Sequence, residues 1–104
     1  MSIRRYEILL PTRHNDGTPV APEKIDATLM ELAERFGGLT FRPEHLVGLW
    51  FYRGQRFEDN NVCVAVDVED TPETASFFAR FKEVLKERFH QIEIHIVSYE
   101  IRVT

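Results

Sequence analysis

The chain reads as an α+β sandwich: one antiparallel sheet with two helices packed on one of its faces. Three observations predict it. Apolar residues alternate at period two over 3–10 and 62–68, they recur at helical spacing over 25–36 and 78–89, and glycine, proline and Asx residues punctuate the segments between.

Ile3 to Leu10 places Tyr6, Ile8 and Leu10 on one side and Arg5, Glu7 and Leu9 on the other, the pattern of a half-buried strand closed by Pro11. The following TRHNDGTPVA has no apolar period and carries Asn-Asp-Gly, so it is read as a loop. Pro22 suits the first turn of a helix, Glu23 complements its dipole, and Ile25, Leu29, Leu32 and Phe36 line one helical face. Gly37 and Gly38 end it.

Leu39 to Tyr52 is extended but interrupted by Pro43 and Gly48, which predicts a long strand bent by a bulge. Arg53 to Asn61 holds Gly54 and Asp59-Asn60-Asn61, and is expected to reverse the chain into a strand over Val62 to Val68. Thr71, Pro72 and Glu73 then supply a cap, a first-turn proline and a favourable charge for a second helix, whose buried face is Phe78, Phe81, Leu85 and Phe89. Gln91 to Val103 alternates twice with a change of phase near Ile96 and Val97, as a bulged strand or one buried on both faces would do. The order strand, helix, strand, strand, helix, strand is that of a ferredoxin-like βαββαβ sandwich.

The 104 residues, 43% of them hydrophobic, fit a single domain spanning 1–104 that needs neither disulfide nor structural metal. The lone Cys63 lies in an apolar run and suits a reducing compartment, so a cytoplasmic location is expected. No segment approaches the ~20 apolar residues of a membrane-spanning helix. A net charge of −4 with dispersed basic residues gives no general attraction for phosphate backbones, so neither nucleic acid nor a membrane is an expected partner. A phosphate loop, a dinucleotide fingerprint, HExxH, paired CxxC and an EF-hand loop are all missing from the sequence, and no cofactor or metal is expected.

Chemistry-bearing residues concentrate between Phe36 and Val62. Glu44 and His45 precede the apolar run and Arg53, Arg56, Glu58 and Asp59 follow it, so a bend would gather them at one end of the sheet. There His45 or Glu58 could move a proton, and Arg53 and Arg56 could hold an anionic group. Solvated hairpin charges account for the same residues. Trp50 suits a cavity wall or, preferably, a subunit interface. His14-Asn15-Asp16 is better explained as turn chemistry than as a base or ligand pair, and His90 and His95, five residues apart, fall on opposite faces of an extended chain. Cys63 has no adjacent base and reads as a small buried apolar residue.

Gly38-Leu39-Thr40, Gly48-Leu49-Trp50, Glu58 and Arg88-Phe89-His90-Gln91 resemble the Gly-Leu-Thr, Gly-x-Trp, acidic and Arg-Phe-x-Gln elements of a bacterial domain-of-unknown-function family of small proteins. The Arg-Pro-Glu-His segment and a longer arginine-bearing hairpin depart from that pattern. The resemblance implies a ferredoxin-like fold and interest in Trp50 and Glu58, and it implies no reaction.

The expected function is a homodimeric binding or regulatory module that holds a small ligand or a partner at its open sheet face. That face would display Trp50 or its neighbours with Val97, Tyr99 and Ile101, an apolar surface costly in a monomer. One alternative is a cofactor-free enzyme of the dimeric α/β-barrel kind with His45 or Glu58 beside Trp50; another is a structural subunit paired through strand edges.

Overall fold

The computed structural model describes residues 1–104. Its elements run β1 (Ile3–Pro11), α1 (Pro22–Phe36), β2 (Thr40–Tyr52), β3 (Gln55–Glu69), α2 (Pro72–Arg88) and β4 (Ile96–Ile101). The strands form one sheet in the order β2-β3-β1-β4, every neighbouring pair antiparallel. This is the ferredoxin-like α+β fold that the order of apolar periods predicts.

Residues directly opposite one another share a sheet face, so the register sorts the side chains. Tyr6, Ile8 and Leu10 of β1 face Val66, Val64 and Val62 of β3. All six are buried beneath the helices with Leu32, Phe78, Phe81, Leu85 and Phe89. Phe78 stacks on Tyr6 at 3.9 Å and on Phe36 at 5.5 Å between centroids, linking β1, α1 and α2. Ile8, Leu10, Leu32, Leu85 and Phe89 have no exposed surface, and truncating any of them to alanine is expected to cost about 2–5 kcal/mol.

The helix ends follow the sequence signals. Thr71 accepts from the Thr74 backbone N–H at 3.2 Å while the Thr74 hydroxyl accepts from the Thr71 N–H at 3.2 Å, a capping box with threonine in the acidic residue's place. Gly37 closes α1 at φ 85°. At the end of α2, His90 stands at φ 54°; its N–H donates to the Glu87 carbonyl at 3.3 Å and the Gln91 N–H donates to Lys86 at 2.9 Å. That is a Schellman closure with histidine where glycine usually stands. Between the helices, Arg88 donates to the fully buried Thr28 hydroxyl at 2.9 Å and to Glu31 at 2.7 Å.

Two boundaries differ from the sequence reading. The β2–β3 reversal is a two-residue turn at Arg53 (φ 52°) and Gly54 (φ 77°), so β3 starts at Gln55 rather than Val62. Positive φ at both central residues matches the strand twist of a tight hairpin, and Asp59-Asn60-Asn61 are strand residues. The last strand is six residues long, Ile96–Ile101; residues 91–95 are a connecting segment that buries Ile94, which accounts for the change of phase without a bulge. The bend expected in β2 is present as a register shift between Arg42 and Leu46, around Pro43.

These changes lengthen the hairpin. β1 stops at Pro11 opposite Asn61, whereas β2 and β3 continue to pair out to Tyr52 and Gln55. The outer hairpin therefore has two strands only, and the molecule is 43 Å long against 29 and 24 Å in the other directions. No helix is long and apolar enough to cross a membrane.

Candidate functional site

Where β1 runs out, the base of the hairpin, the loop after β1 and the segment before β4 surround a cavity of about 750 Å³. Its walls come from Leu9 and Pro11, from Arg13, His14 and Asn15, from Gly48 to Trp50 and Phe57 to Asn61, and from Gln91 to His95, with Tyr52 at the hairpin end. Four separate stretches of chain thus meet at one place.

Pairing explains why. Trp50 lies opposite Phe57 and Gly48 opposite Asp59, while Asn61 lies opposite both Leu46 and Pro11, so these side chains share the sheet face away from the helices. Trp50 and Phe57 stack at 4.4 Å and 16°, and Tyr52 lies 6.5 Å from Trp50 at 53°. A β-carbon added at Gly48 would stand 3.8 Å from the Asp59 Cβ and 3.9 Å from the Asn61 Nδ2. The missing side chain therefore leaves space over these polar groups.

One polar atom has no partner: the Trp50 indole Nε1 is buried and has no acceptor within the protein. A buried unpaired donor costs ~1–3 kcal/mol, so each one calls for an explanation. Glu58 and Asp59 are likewise unpaired, since the five ion pairs of the molecule involve Asp70, Asp67, Glu93, Glu83 and Glu31. Glu93 is tied to Lys82 at 3.0 Å, and that bond is the main reason its carboxyl is held below the usual range. Arg13 donates to the Gly17 carbonyl at 2.9 Å.

Of the residues singled out from sequence, Trp50 and Glu58 both border the cavity, Trp50 on the open sheet face and Glu58 opposite Leu49 with its side chain on the other face. His45 does not line it: it sits exposed in the register shift of β2. Arg53 forms the hairpin turn with its guanidinium 5.2 Å from the Tyr52 ring, and Arg56 is exposed opposite Phe51. Asp16 does serve the turn, accepting from the Thr18 hydroxyl at 2.6 Å and the Thr18 N–H at 3.0 Å, which depress its pKa. Its neighbour His14 nevertheless faces the cavity, with its ring 5.8 Å from that of His90. No group of three or more His, Cys, Asp or Glu side chains is arranged to hold a metal ion.

Sequence reasoning passed over Phe57, Asn60, Asn61, Gln91 and His95 as cavity residues. A signal for Phe57 existed: Gly54 as the second residue of a two-residue turn would have set it opposite Trp50. No local signal marks the 91–95 segment, whose place depends on the turn at His90.

The rest of the open sheet face is polar at its centre and apolar at its edge. Arg5 holds Asp67 through two bonds of 2.7 and 3.0 Å, and Tyr99 donates to Glu7 at 2.6 Å. The bond to Glu7 is the main cause of a raised Tyr99 pKa. Cys63 lies buried on this face, and burial pushes its thiol pKa up, away from a reactive thiolate. Val97 and Tyr99 are exposed, as anticipated for this surface. On the outer hairpin Val47, Leu49 and Phe51 alternate along one face and are 61%, 58% and 71% exposed.

No protein family's sequence profile matches the chain, and no curated protein matches it in sequence. Solved structures do match in fold. The divalent cation tolerance protein (CutA1) of Thermus thermophilus superposes with a TM-score of 0.66 at 17% identity, over 98% of this chain and 86% of that one. A phage SAM lyase in complex with S-methyl-5′-thioadenosine superposes at 0.65 with 18% identity, over 97% and 90%. The Bacillus subtilis GlnK–ATP complex superposes at 0.52 with 20% identity, over 96% and 82%. The likeness extends over nearly the whole chain and is one of fold.

Proposed function

We propose that this protein is a small-molecule binding or regulatory module that works as a homo-oligomer, with its ligand in the cavity at the hairpin base. The observation that carries this is the buried Trp50 indole N–H without an acceptor in the wall of an open cavity of about 750 Å³. The size is that of a small-molecule site, and apolar walls with a few convergent polar groups are what such sites have. Trp50 and Phe57 supply the flat apolar wall, and Asn61 and Gln91 supply amides that select by hydrogen bonding. Two of the similar structures are complexes with adenine-bearing ligands, S-methyl-5′-thioadenosine and ATP, which makes a ring of that kind the natural first probe.

Self-association is part of the proposal because the outer hairpin has no third strand to pack on. A two-stranded ribbon is marginal in water, and this one exposes Val47, Leu49 and Phe51. Covering that stripe with another copy removes apolar surface from water and supports the hairpin on which the cavity depends.

Trp50 is the only tryptophan, so fluorescence excited beyond the tyrosine absorption band reports on the cavity wall. Titration with adenosine is expected to give a saturable change that Gly48→Leu abolishes by filling the space over Asp59 and Asn61. Native mass spectrometry of the same sample is expected to show more than one copy per particle. A flat titration together with a bare monomer would overturn the proposal.

A second reading, proton-transfer catalysis, is favoured by one observation: His14, His95 and Asp59 line the same cavity. Conversion of a bound probe, lost in His14→Gln or His95→Gln with binding retained, would establish it. Binding without turnover would leave the first reading standing.

A further inference from the structure

Within the reading of this cavity as a ligand site, we infer that it selects a ring-bearing organic cation over a phosphate-bearing one. Two sets of side chains meet there. Trp50, Tyr52 and Phe57 form an aromatic cluster on its wall, and aromatic faces attract ammonium and sulfonium groups through the ring quadrupole. Asp59, opposite Gly48 on the same sheet face as Trp50 and Phe57, lines the same space and is engaged by no basic side chain of the protein.

The positive side of the balance is thin. Arg13 is the only lysine or arginine in the lining, and one of its nitrogens is already given to the Gly17 carbonyl at 2.9 Å. Lys82 touches the lining only through Glu93, with which it forms an ion pair at 3.0 Å. The cavity walls include no glycine-rich turn opening a helix of the kind that cradles phosphates, because the residues after β1 reach α1 only at Pro22. A phosphate placed beside Trp50 would meet the free Asp59 carboxylate and one partly engaged guanidinium; an ammonium or sulfonium would meet an opposite charge and the Trp50 and Phe57 rings, Tyr52 already facing the Arg53 guanidinium.

The test keeps the ring constant and changes only the charge. Trp50 fluorescence is titrated at low salt with adenosine, with 5′-amino-5′-deoxyadenosine, which carries an ammonium at neutral pH, and with adenosine 5′-monophosphate. The expected order is ammonium, then adenosine, then phosphate, with the ammonium about three- to tenfold tighter than adenosine, the range that one exposed ion pair or cation–π contact provides. Asp59→Asn is expected to bring the ammonium and adenosine affinities together, and added salt to narrow the gap.

If adenosine saturates while the phosphate binds as well as the ammonium or better, the inference about charge is overturned and the ligand site remains. Equal affinities unaffected by Asp59→Asn would overturn it in the same way. If none of the probes gives a saturable change, both the inference and the site beneath it fail. Far-UV circular dichroism of the Asp59→Asn protein guards against a folding defect. Should that variant be unfolded, the order of the probes on the wild type decides alone.

Discussion

Replacing Trp50 with phenylalanine tests the central feature of the site. The substitution keeps a ring against Phe57, 4.4 Å away, and deletes the N–H that is buried without an acceptor. Leaving that donor unpaired costs ~1–3 kcal/mol. The smaller ring gives up about 40 Å² of apolar surface, which at ~25 cal/mol per Å² amounts to about 1 kcal/mol if fully buried and less at a half-buried position. The ligand-free variant should therefore be level with the wild type or up to about 2 kcal/mol more stable, a rise in Tm of up to roughly 10 °C for a domain of this size. Urea unfolding followed by far-UV circular dichroism, at one protomer concentration because self-association shifts apparent stability, measures the difference. Trp50→Ala, which also removes the stack, should lose about 2 kcal/mol. A Trp50→Phe protein less stable than the wild type by more than about 1 kcal/mol would mean that the indole N–H is satisfied without a ligand, and the argument from the orphaned donor would fall.

The hairpin turn gives an opposed pair of outcomes: Arg53→Asn should raise the unfolding free energy by about 0.5–1 kcal/mol, because asparagine tolerates positive φ better than arginine, whereas Gly54→Ala at φ 77° should lower it by about 1 kcal/mol. Arg5 holds the Asp67 carboxyl below its usual pKa, so this pair stabilises the fold above the unfolded carboxylate value near ~4 and ceases to do so as pH falls through the folded value. Arg5→Gln should accordingly lose stability at pH 7 and converge on the wild type as pH falls through the folded Asp67 value, as urea unfolding at falling pH will show. For Cys63, burial raises the thiol pKa, and iodoacetamide at pH 8 should label it only after urea unfolds the chain; labelling of the native protein at the unfolded rate would contradict its burial.

Both helices, the first strand and the core half of the third were legible because their signals are local. Helical spacing of Phe78, Phe81, Leu85 and Phe89 and alternation of Val62, Val64, Val66 and Val68 report burial without knowledge of the partner. Three boundary signals competed with tertiary structure. Asp59-Asn60-Asn61 has the composition of a turn, yet pairing with Leu46, Val47 and Gly48 holds it in β3, since a strand already paired on one side gains more from continuing the ladder than from an Asx turn. Ile92 and Ile94 continue an alternation that looks like strand, yet the αL turn at His90 carries them across the sheet end first. His45 and Glu58 look like neighbours around a bend, but the register shift in β2 leaves His45 in solvent, and Glu58, opposite Leu49, borders the cavity from the face away from Trp50.

The sequence by itself determined the fold class, the order of its elements and the residues of the core, together with interest in Trp50 and Glu58. These follow from periodicity and turn chemistry, which act over a few residues at a time. Tertiary structure alone decided that the hairpin turns at Arg53-Gly54, and therefore that Trp50 meets Phe57 and Asp59 lies under Gly48. It also decided that residues from the loop after β1 and from the segment before β4 close the same cavity. A cavity is the space left between segments far apart in the chain, so its position depends on strand register and turn geometry, and a shift of one residue would send Trp50 to the other face.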